Sequence, residues 1–203
     1  MTRRLGLMVV GQKWLGAEVA RALAAAGHQM LAVAVPRLDD RLALAGRELG
    51  ADVAVAEKRL QAATVPAGAE LIVCAHAHCF VDGAARARAR HGAIGFHPSL
   101  LPRHRGRSAI EWALRFGDPV TGGTVYQLDD GADTGPILAQ EWCWVGPGDT
   151  AELLWRRDLA PMGLRLLVRA VDEIAAGHAV RLPQRADVAT FEPAITAARL
   201  GPG

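Results

Sequence analysis

This chain predicts an α/β fold with a mostly parallel sheet, and three observations carry that prediction. Short apolar runs at 5–10, 30–35, 71–75 and 93–96 are separated by stretches long enough for crossover helices. Gly11, Gly27, Pro36 and Gly50 fall at the boundaries of these segments. Beyond residue 120 the rhythm changes. Segments 121–128 and 137–145 read as two strands joined by an Asp- and Gly-rich loop, an antiparallel pair added to one side of the sheet.

Each element has a local reason. The run 5–10 is apolar apart from Gly6, as a strand buried on both faces should be. A turn over 11–16 leads to a helix at 17–26, stopped by Gly27. The strand at 30–35 ends at Pro36, a helix at 41–49 ends at Gly50, and 52–56 forms a short strand. After the strand at 71–75, a helix is expected at 82–90 and a further strand at 93–96. Ser108 is placed to cap a helix over 108–116. Asp149, with Glu152 three residues on, has the form of a capping box, and the helix it starts should break or kink at Pro161. Leu164, Leu167, Val168, Val171 and Ile174 then recur at helical spacing, a core stripe ended by Gly177. From about Leu182 the tail is irregular. No repeat or linker divides the 203 residues, so one domain over 1–203 is expected.

Composition narrows the class. A hydrophobic fraction of 51% suits an Ala-rich α/β protein, and a net charge of +2 calls for neither nucleic acid nor an anionic membrane. The run 5–10 stops at Gly11, too short for a signal segment or a membrane span. Cys74, Cys79 and Cys143 are odd in number and lack framework spacing, so they read as reduced thiols in a cytoplasmic protein.

Two segments carry chemistry. His97 stands at the carboxyl end of a buried strand, where open parallel sheets bind ligands, and opens a loop stiffened by Pro98 and Pro102. Asp133 lies in a second loop, framed by Gly131 and Gly135. A structural histidine and an ordinary Asp/Gly turn are the alternatives. Brought together by folding, the two side chains can instead polarise a carbonyl and move a proton.

Taken together, these segments resemble the folate-dependent formyltransferase family, which includes glycinamide ribonucleotide, methionyl-tRNA and sugar-amine formyltransferases. The matching text runs from His97 to Pro102 with Gly106, then Gly117-Asp118, Thr121 to Thr124, Asp133 to Ile137, and Gln140. The stretch from Ala189 to Ile195 also looks like the end of the catalytic domain in the methionyl-tRNA and sugar-amine branches. The resemblance implies a Rossmann-like formyltransferase fold, with 10-formyltetrahydrofolate as co-substrate and no metal. A substrate amine attacks the formyl carbon, His97 stabilises the charge on the formyl oxygen, and Asp133 orients that imidazole and helps remove the amine proton. His76, Ala77, His78 and Phe80 fall in the loop that the family places against the folate pteridine. Cys74, His76, His78 and Cys79 are also metal-ligand types in a dense cluster, which leaves a zinc site as the lesser alternative to that loop.

One position departs from the pattern. The family motif is Asn-x-His, and the Asn position is Gly95 here. That amide donates to the formyl oxygen, and losing such a donor typically costs about 2.7–4 kcal/mol of transition-state stabilisation. Either another group fills the gap, or the reaction is slower or altered, or the protein binds without transferring. Hydrolysis of the formyl donor is a further alternative.

The acceptor is narrowed by elimination. The first turn, Gly11 to Gly16, lacks the Gly-Ser-rich phosphate loop of the glycinamide ribonucleotide branch. The methionyl-tRNA branch carries a further C-terminal domain, whereas this chain stops at Gly203. A small-molecule amine is left, with no nucleic acid or membrane partner expected and a homodimer left open. Trp14 borders the expected amine site and is placed to stack on a ring. Arg103 and Arg105, in a basic loop with His104 and Arg107, are placed to hold a substrate phosphate or carboxylate. Trp142 and Trp144 alternate on a strand and are expected to pack.

Overall fold

The apolar runs of the sequence form the centre of a twisted sheet. A computed structural model describes residues 3–77 and 79–195. Its strands are β1 (Gly6–Gly11), β2 (Gln29–Val35), β3 (Asp52–Val55), β4 (Arg59–Leu60), β5 (Leu71–Ala75), β6 (Phe80–Val81), β7 (Ala93–His97), β8 (Val120–Gln127) and β9 (Ile137–Trp144). Its helices are α1 (Lys13–Ala25), α2 (Arg41–Glu48), α3 (Gly83–Arg86), α4 (Ala109–Arg115), α5 (Ala151–Leu154) and α6 (Ala160–Ala176).

Seven strands form the main sheet in the order β3-β2-β1-β5-β7-β8-β9. Pairing is parallel from β3 to β7 and antiparallel from β7 through β8 to β9, as the sequence predicts. The direction of strand addition reverses between β1 and β5, which opens a crevice at their carboxyl ends. A separate two-residue ladder, β4 with β6, is too short to leave a periodicity in the sequence.

Both faces of the sheet are covered, which is why β1 is apolar throughout. Leu7 and Val9 pack into one core with Leu15, Val19 and Leu23 of α1 and Leu166, Leu167 and Val171 of α6. Met8 and Val10 point the other way, into a smaller core with Leu60, Val65, Val81 and Ala85. Among the described residues no helix is long and apolar enough to cross a membrane.

Several boundaries move for identifiable reasons. Helix α1 begins at Lys13 rather than at 17, because both carboxylate oxygens of Asp40 accept from the Lys13 N–H at 3.0 and 3.1 Å. That partner lies beyond β2, outside any local pattern. The helix expected at 82–90 closes after Arg86, where Arg88 and Ala89 donate to the tighter i−3 carbonyls. Ser108 does not cap α4 with its side chain; its hydroxyl accepts instead from the Ile195 N–H at 3.0 Å. Thr150, not Asp149, caps α5, while Asp149 accepts from the Gly146 N–H and pairs with Arg157. Ahead of Pro161 the backbone widens into a π-helical turn, Trp155–Leu159, and the proline sits in the first turn of α6, where no N–H is needed. Trp142 and Trp144 do not pack into the core: they are 58% and 66% exposed on β9 and meet edge to face.

The buried face of α6 is centred on Gly163, Leu166, Leu167, Ala170 and Ile174, with Leu164 and Val168 on its shoulder. The expected stripe missed its centre because the closest approach to the sheet is made by small residues. A Cβ at Gly163 would lie 2.9 Å from the Phe96 ring. Leu166→Ala is therefore expected to lower the unfolding free energy by about 2–5 kcal/mol and Leu164→Ala by clearly less, measured by denaturant titration. Equal losses at the two positions would contradict this rotation of the helix.

Candidate active site

The site forms where β7 leaves the sheet. His97, the last residue of β7, is buried, and its Nε2 lies 2.7 Å from the backbone carbonyl of His104. A carbonyl only accepts, so Nε2 carries a proton and Nδ1 is the nitrogen left to face the site. Nδ1 is 3.5 Å from Oδ2 of Asp133. The sequence-predicted pair is thus brought together by the fold.

Asp133 is held from three directions. Its Oδ1 accepts from the Tyr126 hydroxyl at 2.6 Å, its Oδ2 accepts from the Gly106 N–H at 2.8 Å, and its own carbonyl accepts from Gln184 Nε2 at 2.9 Å. Gly106 makes its contact at φ +104°, a conformation that side chains resist. Asp133 itself sits at φ +56°, an uncommon angle that aspartate tolerates better than most residues. Burial first, and then the charge of Asp133, push the Tyr126 phenol well above its ordinary pKa, so it stays a donor.

The loop from Pro98 to Arg107 is tied down by side chains that the resemblance matched without assigning a role. The Thr124 hydroxyl donates to the Ser99 carbonyl at 2.7 Å, accepts from the Leu101 N–H at 3.2 Å, and accepts from Gln140 Nε2 at 2.8 Å. Gln140 also donates to the Leu101 carbonyl at 3.0 Å. The irregular tail closes the other side. Thr190 accepts from the His104 N–H with its hydroxyl and from the Arg105 N–H with its carbonyl. The buried His104 imidazole lies between Asp118, at 2.7 Å, and Glu192, at 3.3 Å. Burial alone would raise the Asp118 carboxyl; hydrogen bonds from Arg103 and His104 outweigh it and hold that carboxyl below its usual range.

Arg103 and Arg105 are occupied within this framework. Arg103 makes a two-pronged contact with Asp118 at 2.7 and 2.9 Å, and Arg105 donates twice to Gln184 Oε1 at 2.7 and 3.1 Å. Both guanidiniums therefore brace the loop, each through its Nε and Nη2. Sequence spacing gave no sign of this, because Asp118 and Gln184 reach the loop from distant segments.

A second feature opens at the carboxyl ends of β1 and β5. It is a cavity of about 750 Å³ whose lining includes Trp14, Asp40, Arg41, His76 and Trp155. His76 adopts φ +57° and meets the Trp155 ring edge to face at 5.1 Å. Ala77 is exposed. Phe80 is placed elsewhere: it stands on β6 with the Arg59 guanidinium 5.3 Å above its ring. His78 lies outside the described residues. Among the described residues no three His, Cys, Asp or Glu side chains converge as metal ligands would. Burial pushes the Cys79 and Cys143 thiols up to about 11, and Cys74 further still, so none is a thiolate near neutral pH.

Comparison with known proteins fits this arrangement. A family model described as formyl transferase matches residues 42–171, which include both His97 and Asp133. The chain belongs to the formyl transferase family. Among its curated relatives, the mitochondrial 10-formyltetrahydrofolate dehydrogenase of Homo sapiens is 42% identical over 202 residues, which is 93% of this chain but 22% of that protein. Among solved structures, the N-formyltransferase from Helicobacter canadensis, in complex with folinic acid and dTDP-3-aminofucose, superposes with a TM-score of 0.78 at 15% identity, covering 93% of this chain and 70% of that one. Glycinamide ribonucleotide transformylase 1 from Symbiobacterium toebii gives a TM-score of 0.75 at 24% identity, covering 91% and 95%. These two share the fold of this formyl transferase domain.

The fully buried Thr124 gives the framework a direct test. Thr124→Val leaves the Leu101 N–H and a Gln140 N–H without their acceptor, so a stability loss of about 1–3 kcal/mol is expected by chemical unfolding. Thr124→Ser keeps the hydroxyl and should lose markedly less. Equal losses would place the effect in methyl packing rather than in the hydrogen bonds.

Proposed function

We propose that this formyl transferase domain takes the formyl group of 10-formyltetrahydrofolate and passes it to the amine of a small acceptor. The observation that carries the reading is the His97–Asp133 pair, 3.5 Å apart at a strand end within the family-matched region. The Helicobacter canadensis N-formyltransferase in complex with folinic acid and the human 10-formyltetrahydrofolate dehydrogenase, both similar to this chain, support a folate donor.

The chemistry follows from the nitrogens. With Nε2–H spent on the His104 carbonyl, Nδ1 is the atom that meets the reacting groups. When it carries a proton, Nδ1 donates to the formyl oxygen as charge develops there. The acceptor nitrogen bonds to the formyl carbon and loses a proton to Asp133, directly or through water. The bond from the formyl carbon to N10 breaks, and N10 takes a proton. In this reading His76 and Ala77, which follow β5, border the folate, and Trp14 lies on the acceptor side.

A second reading has water as acceptor, and one observation favours it over a phosphorylated amine. The start of α1 is where a phosphate would be held, and the Asp40 carboxylate already accepts from the Lys13 N–H there. An acceptor phosphate would have to displace that carboxylate from the Lys13 N–H, whereas an uncharged small amine or water needs no such donor.

Steady-state release of the formyl group, with and without a panel of small amines, separates these readings. Turnover that requires an amine supports transfer, turnover without one supports hydrolysis, and folate binding with no turnover under either condition rejects both. His97→Ala and Asp133→Asn are each expected to lower kcat by roughly 10²–10⁴-fold while folate affinity stays within a few-fold. Wild-type kcat in either variant would remove that residue from the reaction.

A further inference from the structure

Gly95 leaves β7 without a side chain two residues before His97, on the same face of the strand. What lies over that gap is specific. Tyr126 is the cross-strand partner of Gly95 in the antiparallel β7–β8 ladder, so its side chain stands on the same face. A Cβ added at Gly95 would come 3.6 Å from Tyr126 Cε1, 3.5 Å from Cys74 Cβ and 2.9 Å from Leu128 Cδ1. From this seat the phenol reaches Asp133, 2.6 Å away. A glycine facing an aromatic residue across two strands is a common way to cover a bare stretch of backbone. Here the aromatic also carries a donor to the candidate site.

We propose that Tyr126 is a positioning residue for Asp133, and that Tyr126 and Gly95 work as one unit: the glycine makes room for the ring, and the ring brings a hydroxyl to the face from which the side chain at 95 is missing. This rests on the His97–Asp133 reading of the site. The hydroxyl donates to Oδ1 while the Gly106 N–H holds Oδ2, so the carboxylate plane is fixed with Oδ2 toward His97 Nδ1. With only Gly106 as donor the carboxylate would turn about its last side-chain bond. Burial first, and then the charges of Asp133 and Asp129, keep the phenol protonated. It therefore acts by donating, not by giving up its proton.

The test uses two substitutions and their combination. Tyr126→Phe keeps the ring over Gly95 and removes only the hydroxyl. It is expected to lower kcat for formyl release roughly ten- to a hundredfold, with KM for 10-formyltetrahydrofolate within about twofold. In the folate-free protein it should also lower the NMR titration midpoint of His97, because a carboxylate free to turn no longer keeps its charge toward the imidazole. Gly95→Asn should slow turnover as well, since its amide must push Leu128 and the Tyr126 ring aside. In the Tyr126→Phe background that second penalty should shrink, because the hydrogen bond it breaks is already gone.

Wild-type kcat and an unmoved His97 titration in Tyr126→Phe would overturn the proposal. So would a faster Gly95→Asn enzyme, or strict additivity of the two changes. If wild type itself released no formyl group, the functional reading would fail on its own. The His97 titration would still decide whether Tyr126 positions Asp133.

Discussion

The hydrogen bond from His97 Nε2 to the His104 carbonyl is the constraint on which the site depends. It fixes the tautomer of the imidazole and aims Nδ1 at Asp133. It also requires the chain to double back within seven residues of β7 and to present a carbonyl inward. A carbonyl buried in a loop is hard to place, because nothing in a loop repeats to hold it. The solution is redundancy. Ser99 accepts from the Thr124 hydroxyl of β8 with its carbonyl and donates to the Arg103 carbonyl with its own hydroxyl, Thr124 and Gln140 grip Leu101 from β8 and β9, and Arg103 is clamped to Asp118. His104 has φ +56°, and its imidazole is seated between two carboxylates. Its side chain thereby holds the residue so that its main chain can orient another histidine.

Asp133 obeys the same logic from the opposite loop. Its partners come from β8 through Tyr126, from the His97 loop through Gly106, and from the tail through Gln184. The tail thus belongs to the site's framework. Gln184 bonds to Arg105 on one side and to the carbonyls of Asp133 and Gly135 on the other, so it joins the two loops that carry His97 and Asp133. Thr190 and Glu192 then fasten the histidine loop a second time. A segment with almost no regular structure is thus fastened to those loops through Gln184, Thr190 and Glu192.

What the sequence made legible follows from how local each cause is. The parallel strands could be read directly, since burial on both faces demands unbroken apolar runs such as that of β1. The antiparallel pair and the reacting loops could be placed for similar reasons. The start of α1 could not, because its partner Asp40 arrives from the next strand–helix turn. The bracing contacts of Arg103 and Arg105 were hidden likewise, because Asp118 and Gln184 come to the basic loop from distant segments. Trp142 and Trp144 were misread because alternation marks a strand face without saying whether anything covers it. Tyr126 was missed for a simpler reason. Its importance lies in being opposite Gly95, and register is a property of two strands that neither contains alone.

The site divides along the sheet, and the division has a chemical consequence. His97, Asp133 and Tyr126 belong to the antiparallel half, together with the tail that braces them. The cavity with Trp14 and His76 belongs to the parallel half, at the reversal between β1 and β5. The rings of Phe96, next to His97, and of His76 both pack against Trp155, at 6.4 and 5.1 Å, so the two halves meet on one indole. That indole opens the π-helical turn before α6, and it can shift without breaking any hydrogen bond of the reacting pair. Cavity residues such as Trp14 and Asp40 can therefore change to suit a different acceptor while the geometry around Asp133 stays fixed. The reverse does not hold: a change at Thr124, Gly106 or Gln184 loosens the framework around His97 and Asp133 whatever the cavity contains.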